Sequence, residues 1–272
     1  MNGTRKECTQ TIANNMICLS KNLSDEYINM FAAGAGLVVQ DYSSDTGRSD
    51  ILIRGMTKAH IILDRAASGK NTYYMDGGYF GNYKSQFNPY GNKIYHRIVK
   101  NNLQHTDIRN VPTNRWNSFN YKIANRKFGS HILLVTPSEK PCKFYGINLQ
   151  EWISSTISKI QQNTDRPIVV RTKAARSERL QHSIYDDLVN AHAVVTYNSV
   201  AAVESVLEGI PAFTLAPTAA DPVCDKELSL LENPTIFDKD QLYAWACHLA
   251  YGQFHIDEFK DGSAYKLLYE YS

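Results

Sequence analysis

Short apolar runs recur along this chain, separated by stretches in which apolar positions fall three and four residues apart. Runs of the first kind predict buried strands; spacing of the second kind predicts amphipathic helices packed on them. Strands are expected at Met16–Leu19, Leu37–Gln40, Asp50–Arg54, Thr72–Met75 and Tyr95–Val99, then at His131–Thr136, Pro167–Val170, Ala193–Thr196 and Ala212–Leu215. Helices are expected from a Ser24 cap to about Ala33, with Tyr27, Ile28 and Phe31 inward, and over Thr57–Ala67. Further helices are expected over Leu149–Gln162, Leu180–Ala191, Ser199–Glu208, Asp238–Ala250 and Asp257 to about Tyr269. Residues 1–15 are polar and read as a tail, and Lys84–Asn120 shows few clear periods. Its polar loop near 107–117 is long for the inside of a domain, where such loops are functional or mobile. Strands alternating with helices predict parallel α/β sheets. Two such units are expected, 16–130 and 131–253, with 254–272 following.

The pattern is sharpest at residues 189–217. A valine-rich strand ends in Tyr197-Asn198; Ser199 is a good N-cap for the helix that follows; Gly209 and Pro211 stop that helix before the next strand. Strand, short turn and helix N-terminus place N–H groups at the carboxyl edge of a parallel sheet, where phosphate binds. Glu204 lies about a turn and a half into the helix. Thr136 ends one neighbouring strand, and Arg171 and Lys173 leave the end of another, two residues apart on one face. They are placed to neutralise a diphosphate. In the first unit, Asp76-Gly77-Gly78-Tyr79-Phe80-Gly81-Asn82 follows a strand directly, so a carboxylate is followed by glycines that let a ligand approach. Gly34-Ala35-Gly36 lies between a helix and a strand, the wrong order for a dinucleotide fingerprint, and reads as helix termination.

Composition excludes some classes and suggests another. Apolar residues make up 43% of 272, enough for a core, and no apolar run approaches a membrane span. No signal-peptide core precedes Met16, and the five cysteines show no zinc spacing, so reduced thiols in a cytoplasm are expected. The net charge of +2 hides an asymmetry. Arg48–His131 holds fourteen Lys and Arg against four Asp, a net +10 over 84 residues, leaving −8 for the rest. Aromatic residues interleave with these cations. That is the composition of a nucleic-acid surface, and Tyr79, Lys84, Lys93 and Arg97 are its candidate contacts.

Asn198-Ser199, Glu204 and Gly209-Ile210-Pro211 resemble the nucleotide-sugar-binding segment of GT-B-type glycosyltransferases. Asp238–Trp245, Tyr251-Gly252-Gln253-Phe254 and Asp257-Glu258 are similar to a group of phage and bacterial glycosyltransferases, so the likeness covers roughly residues 165–265. The resemblance implies two Rossmann-like domains facing a cleft, with a final helix crossing back to the first. It implies a nucleotide-sugar donor, most simply a UDP-sugar, held by Thr136, Arg171, Lys173, Asn198 and Ser199, with Glu204 on the ribose. A basic residue often replaces a metal in this family, so no metal ligand and no obligatory cofactor are expected. A second Glu eight residues after the first marks many retaining members; Ala212 stands there instead. The transfer of a hexosyl or pentosyl group also needs a proton acceptor across the cleft. Asp76 is the first candidate, Asp41 and His60 the weaker ones. With the basic aromatic half, the expected acceptor is a hydroxymethylated pyrimidine of phage DNA in a host cytoplasm, reached by base flipping. A polysaccharide or lipid-linked acceptor, a nucleotide-sugar epimerase and a non-catalytic nucleic-acid-binding protein are the alternatives. No membrane association and no obligate protein partner are expected.

Overall fold

The computed structural model describes residues 16–56, 60–82, 94–119, 121–172 and 183–271. Ten strands form two sheets. The first contains β1 (Met16–Leu19), β2 (Val38–Gln40), β3 (Asp50–Arg54), β4 (Thr72–Gly77), β5 (Tyr95–Lys100) and β10 (Gln253–His255), in the order β10-β5-β4-β3-β1-β2. Its β2, β1, β3 and β4 run parallel, whereas β5 is antiparallel to both β4 and β10. The second sheet is wholly parallel, with β6 (His131–Val135), β7 (Ile168–Arg171), β8 (Ala191–Thr196) and β9 (Ala212–Thr214) in the order β7-β6-β8-β9. The architecture is therefore mixed α/β and Rossmann-like. The periodicity finds nine of the strands; β10, which follows α8 without a break, is not among them.

The helices are α1 (Glu26–Ala35), α2 (His60–Ala67), α3 (Asn114–Ser118), α4 (Glu139–Tyr145), α5 (Leu149–Gln161), α6 (Ile184–Asp187), α7 (Ala201–Leu207), α8 (Lys239–Gly252), α9 (Ile256–Lys260) and α10 (Ser263–Tyr271). The α1 cap is Asp25, one residue beyond the expected Ser24; its carboxylate accepts the N–H groups of Tyr27 and Ile28. Gly36 ends α1 in the left-handed conformation, whereas Gly34 lies inside the helix for a different reason. A Cβ there would sit 1.9 Å from the Phe259 carbonyl oxygen, so Gly34 is what lets α9 lie against α1. The single helix expected after Asp257 is two, α9 and α10, broken at Gly262 (φ +76°). Of the helix expected over 180–191, residues 180–182 lie outside the described residues, and the described part holds α6, a single turn before β8.

The C-terminal tail returns to the first sheet. Phe31 of α1 meets Phe259 edge-on at 5.4 Å between ring centres, and Tyr265 at 6.1 Å. Arg115 pins the crossing: its guanidinium pairs with Glu258 and donates to the carbonyls of Ala250 (3.0 Å) and Gln253 (2.8 Å). The polar loop expected near 107–117 is packed in place, with Trp116 of α3 buried against α8.

Part of the basic segment is neutralised within the chain. Arg54 pairs with Asp25, Arg65 with Asp45, Arg115 with Glu258 and Lys127 with Glu208, four acids drawn from the negatively charged remainder of the chain. Charge that is segregated in sequence is recombined in space. Tyr73, Tyr74, Tyr79, Phe80, Trp116 and Tyr121 are buried core residues.

One buried polar knot joins the loop to the tail. Tyr79 Oη and His105 Nδ1 are 2.9 Å apart, and the Arg109 backbone N–H (3.3 Å) and Nε (3.2 Å) donate to His248 Nδ1. Burial, reinforced by Arg109, holds His248 down at about 3, and burial also holds His105 well below its ordinary value. Both rings are therefore neutral in the fold. A depressed histidine contributes stability above its unfolded value near 6.5 and loses it as pH falls toward the folded value. Lowering the pH from 7 to 5 should cost about 2 kcal/mol through His248 alone. Urea midpoints at the two pH values measure this, and His248→Asn should shrink the difference.

Candidate active site

The carboxyl edges of the two sheets approach each other across α4, the helix that follows β6. Its Phe144 packs into the first sheet's cluster with Leu19, Ile53 and Tyr74. Its last residue, Tyr145, lies 5.5 Å from Tyr197 between ring centres, at the end of β8, and within electrostatic reach of Tyr74 on β4. Trp152 of α5 closes the same corner, 6.2 Å from Tyr197.

On the second sheet, Thr136, Arg171, Asn198 and Ser199 all stand at strand ends, as the pattern of residues requires. The Thr136 N–H donates to the Arg171 carbonyl at 3.0 Å, tying the ends of β6 and β7 together. Ser199 Oγ accepts the Ala201 N–H at 3.2 Å, which starts α7. Burial and the neighbouring Tyr197 raise the Tyr145 hydroxyl, against the Asn198 side chain, which lowers it. Arg171 is directed to Asp187 and to the Ser183 carbonyl (3.3 Å). Lys173 lies outside the described residues.

Glu204 is the unusual group. Every residue of α7 is buried, and Glu204 retains 4% exposure. Its Oε1 has no hydrogen-bond partner. Burial pushes the carboxyl up to about 8, although Arg171 nearby opposes the shift. Glu204 is therefore largely protonated at neutral pH, a buried hydrogen-bonding group held next to a strand-end arginine.

On the first sheet, Asp76 lies at the carboxyl end of β4, where its side chain is 41% exposed. It accepts the Tyr74 hydroxyl and the Gly77 N–H, both at 2.8 Å, and Arg97 Nη2 stands 3.6 Å away. Burial works to raise this carboxyl; Arg97, Tyr74 and Gly77 outweigh it and hold the group below the usual carboxylate range. Asp76 is thus ionised throughout neutral pH. Gly78 serves the packing of the chain, since a Cβ there would meet the Gln253 and Tyr95 side chains, each at 2.9 Å, whereas a Cβ on Gly77 would meet nothing within 4 Å. Gln253 Oε1 accepts the Tyr79 N–H at 2.7 Å in the same place.

Two proposed acceptor contacts are corrected. Tyr79 is fully buried and bonded to His105, so its ring cannot stack on a base. Arg97 is 6% exposed, donates to the Gly77 carbonyl at 2.5 Å and sits over the Tyr79 ring, so it is a core cation. Lys84 and Lys93 lie outside the described residues. Asp41 is not a free base either: it accepts from the backbone and side chain of Ser43 and from the Asn22 N–H, which hold it near 2. His60 is exposed at the start of α2. Sequence reasoning missed the aromatic corner of Tyr145, Trp152 and Tyr197, because its members come from three separate elements. The only local signal is Tyr145-Gly146, a helix ending in a left-handed glycine (φ +65°). Among the described residues there is no group of three or more His, Cys, Asp or Glu that could hold a metal ion, and no helix long and apolar enough to cross a membrane.

No protein-family model and no curated protein sequence matches the chain. Two solved structures from Thermosulfurimonas dismutans do match it in fold. One is KpsC, beta Kdo 2,7 transferase, with a TM-score of 0.55 and 12% identity over 93% of this chain and 99% of that one. The other is KpsC, beta Kdo 2,4 transferase, with a TM-score of 0.52 and 10% identity over 86% of this chain and 90% of that one. At these identities the likeness is one of fold: the chain shares the Rossmann-like α/β architecture of these two transferases.

The state of Glu204 has a measurable consequence. A carboxyl raised in the fold contributes its stability below the unfolded value near 4.5 and loses it as pH rises through about 8. Glu204→Gln removes the ionisable group and keeps the shape. The variant should be more stable than the wild type at pH 8, by roughly 3–4 kcal/mol, and most of the gain should be gone near pH 5. Thermal or urea unfolding at the two pH values checks this.

Proposed function

We propose that the chain is a GT-B-type glycosyltransferase, with units 16–130 and 131–253 facing a cleft and the tail completing the first unit. The observation that carries this reading is Glu204, a buried carboxyl with an unpartnered oxygen on the helix after the Tyr197–Ser199 turn. A polar group buried without a partner costs roughly 1–3 kcal/mol, and a ribose hydroxyl of a bound donor is the partner that would offset it. The fold likeness to two sugar transferases points the same way. Thr136, Asn198 and Ser199 then line the donor phosphates, and Arg171, aimed by Asp187, neutralises the leaving group in place of a metal; Lys173 is proposed to assist it. UDP-sugars carrying a hexosyl or pentosyl group are the first donors to test, with Kdo donors beside them.

In the reaction the bond from the anomeric carbon to the phosphate oxygen breaks, and the nucleotide leaves with that electron pair. The acceptor hydroxyl oxygen forms the new bond, and its proton passes to Asp76. Asp76 is ionised, as a base must be. Arg97 limits its basicity, which places its contribution at the low end of general-base catalysis, about 10²-fold.

The acceptor we favour is a glycan hydroxyl. A DNA acceptor was expected from the net +10 segment, but five of its eleven described cations, Arg54, Arg65, Arg97, Arg115 and Lys127, are paired with acids of the same chain. The first test is turnover of a panel of UDP-, GDP- and CMP-linked sugars with glycan or DNA as acceptor. Asp76→Asn should leave donor affinity within about twofold and lower turnover about 10²-fold. A folded variant with normal turnover would remove Asp76 from the reaction. On the glycan reading, affinity for duplex DNA shows no steep salt dependence; a log–log slope near −4 would restore the DNA acceptor, since it reports four to six phosphate contacts.

A further inference from the structure

Arg54 ends β3 at the carboxyl edge of the first sheet, and one side of its guanidinium has no partner. Its Nη1 donates to Asp25 Oδ2 at 2.8 Å, and the group lies over the Tyr27 ring, 4.5 Å from the centroid. Asp25 is itself fixed, because its other oxygen accepts the Tyr27 and Ile28 N–H groups, each at 3.1 Å. The contact with Asp25 is a single bond, not the two parallel bonds that an arginine and a carboxylate can form. Among the described residues Nε is buried without a hydrogen-bond partner; Nη2 also bonds to nothing but is not enclosed, and the side chain is 30% exposed. Nε and Nη2 are the nitrogens whose N–H groups point the same way and grip an oxyanion together. A lysine would neutralise Asp25 without burying an unpartnered donor, which is costly; the fork is what arginine adds. The ground beside the fork is open. Arg54 pairs with Met75 across the sheet, so Met75 and Gly77 stand on the face that carries Arg54. A Cβ on Gly77 would meet nothing within 4 Å, nor would one on Gly55, the residue after Arg54. Asp76, the proposed base, lies between Met75 and Gly77, about one strand spacing, roughly 5 Å, from the end of β3.

We infer that the unpartnered fork of Arg54 is an oxyanion site, and that the acceptor glycan carries a carboxylate or phosphate near the hydroxyl that receives the sugar. The site itself stands on the geometry of Arg54; calling its ligand the acceptor rests on the glycosyltransferase reading above. An oxyanion seated there receives two parallel N–H bonds, one of them from the buried Nε. Asp25 and the Tyr27 ring hold the guanidinium in place beforehand, so little ordering is left to the ligand. The sugar that bears the anion then lies over Gly55 and Gly77, with a neighbouring hydroxyl turned toward Asp76. A neutral glycan leaves Nε without a partner, so Arg54 selects acceptors by charge.

The test compares three methyl glycosides of one sugar ring: a glucuronide, a glucoside phosphorylated at the same carbon, and the neutral glucoside. Binding of each to the full chain is followed by NMR titration at low ionic strength. One or both charged glycosides should bind about 10-fold or more tightly than the neutral one, the effect of a pair of charge-assisted hydrogen bonds at a partly exposed site. The tighter of the two identifies the anion. Arg54→Lys keeps the charge and loses the fork, and should cut the preference to about 3-fold or less. Arg54→Gln should abolish it. Circular dichroism and thermal unfolding show whether each variant is folded, and Arg54→Lys decides the matter if Arg54→Gln does not fold. Equal binding of all three glycosides by the wild type, binding of none, or a preference undiminished in either folded variant overturns the inference. Calorimetry with the nucleotide sugars separates it from the reading it rests on. Nucleotide-sugar binding without a charge preference removes the oxyanion site alone. A charge preference lost in the Arg54 variants, without nucleotide-sugar binding, keeps the oxyanion site and removes its assignment to an acceptor.

Discussion

The enclosure of α7 is the constraint on which the rest depends. A helix on an open α/β sheet normally keeps one face in water, but Ala201–Leu207 is buried on every side. One side lies on the second sheet, with Ala201 against Leu133 and Val194. The other is covered by the first unit and the tail, where Ala202, Val203 and Val206 share a cluster with Tyr79, Trp116, Tyr121 and Trp245. Gly209 completes the closure. Its φ of +77° suits glycine, and a Cβ there would sit 2.1 Å from the Asn125 carbonyl oxygen, where the segment joining the two units passes. Burying a helix this completely leaves its one acidic residue, Glu204, with little choice but to be neutral or to find a partner.

That consequence links packing to chemistry. A chain selected for stability alone would place an apolar residue at 204, since replacing an unpartnered buried carboxyl by a group of similar volume relieves a desolvation penalty. Groups kept at such a cost cluster at sites that bind or react. Asp76 shows the opposite environment: a carboxylate at a strand end, stabilised as an anion by a tyrosine, an amide and an arginine. Two carboxyls with opposite protonation states at neutral pH, one on each unit, would on the proposed reading divide the work of holding a neutral sugar hydroxyl and accepting a proton.

Much of the frame was legible in the sequence because it rests on local rules. The valine-rich run of β8, the Ser199 turn and the Gly209-Ile210-Pro211 stop locate the second sheet's central unit, since each depends on residues within a few positions of one another. What stayed hidden depends on distant partners. The antiparallel pairing of β5 with β10 sets Arg97 opposite Gln253, 156 positions further along the chain. The charge asymmetry conceals its own pairings for the same reason: Arg115 and Glu258 lie far apart in the chain and together in space. Gly78, two residues after Asp76, looks like part of a ligand turn until Gln253 fills the space beside it.

The central claim is that the second unit binds a nucleotide sugar through the helix that carries Glu204. Isothermal titration calorimetry of the full chain with UDP-, GDP- and CMP-linked sugars tests it most directly. The account requires measurable binding of at least one of them, weakened about 10–100-fold in Glu204→Ala, the effect of losing a hydrogen bond worth roughly 1.5–3 kcal/mol. Equal affinity of the wild type and a folded Glu204→Ala, or no binding of any nucleotide sugar, would contradict it.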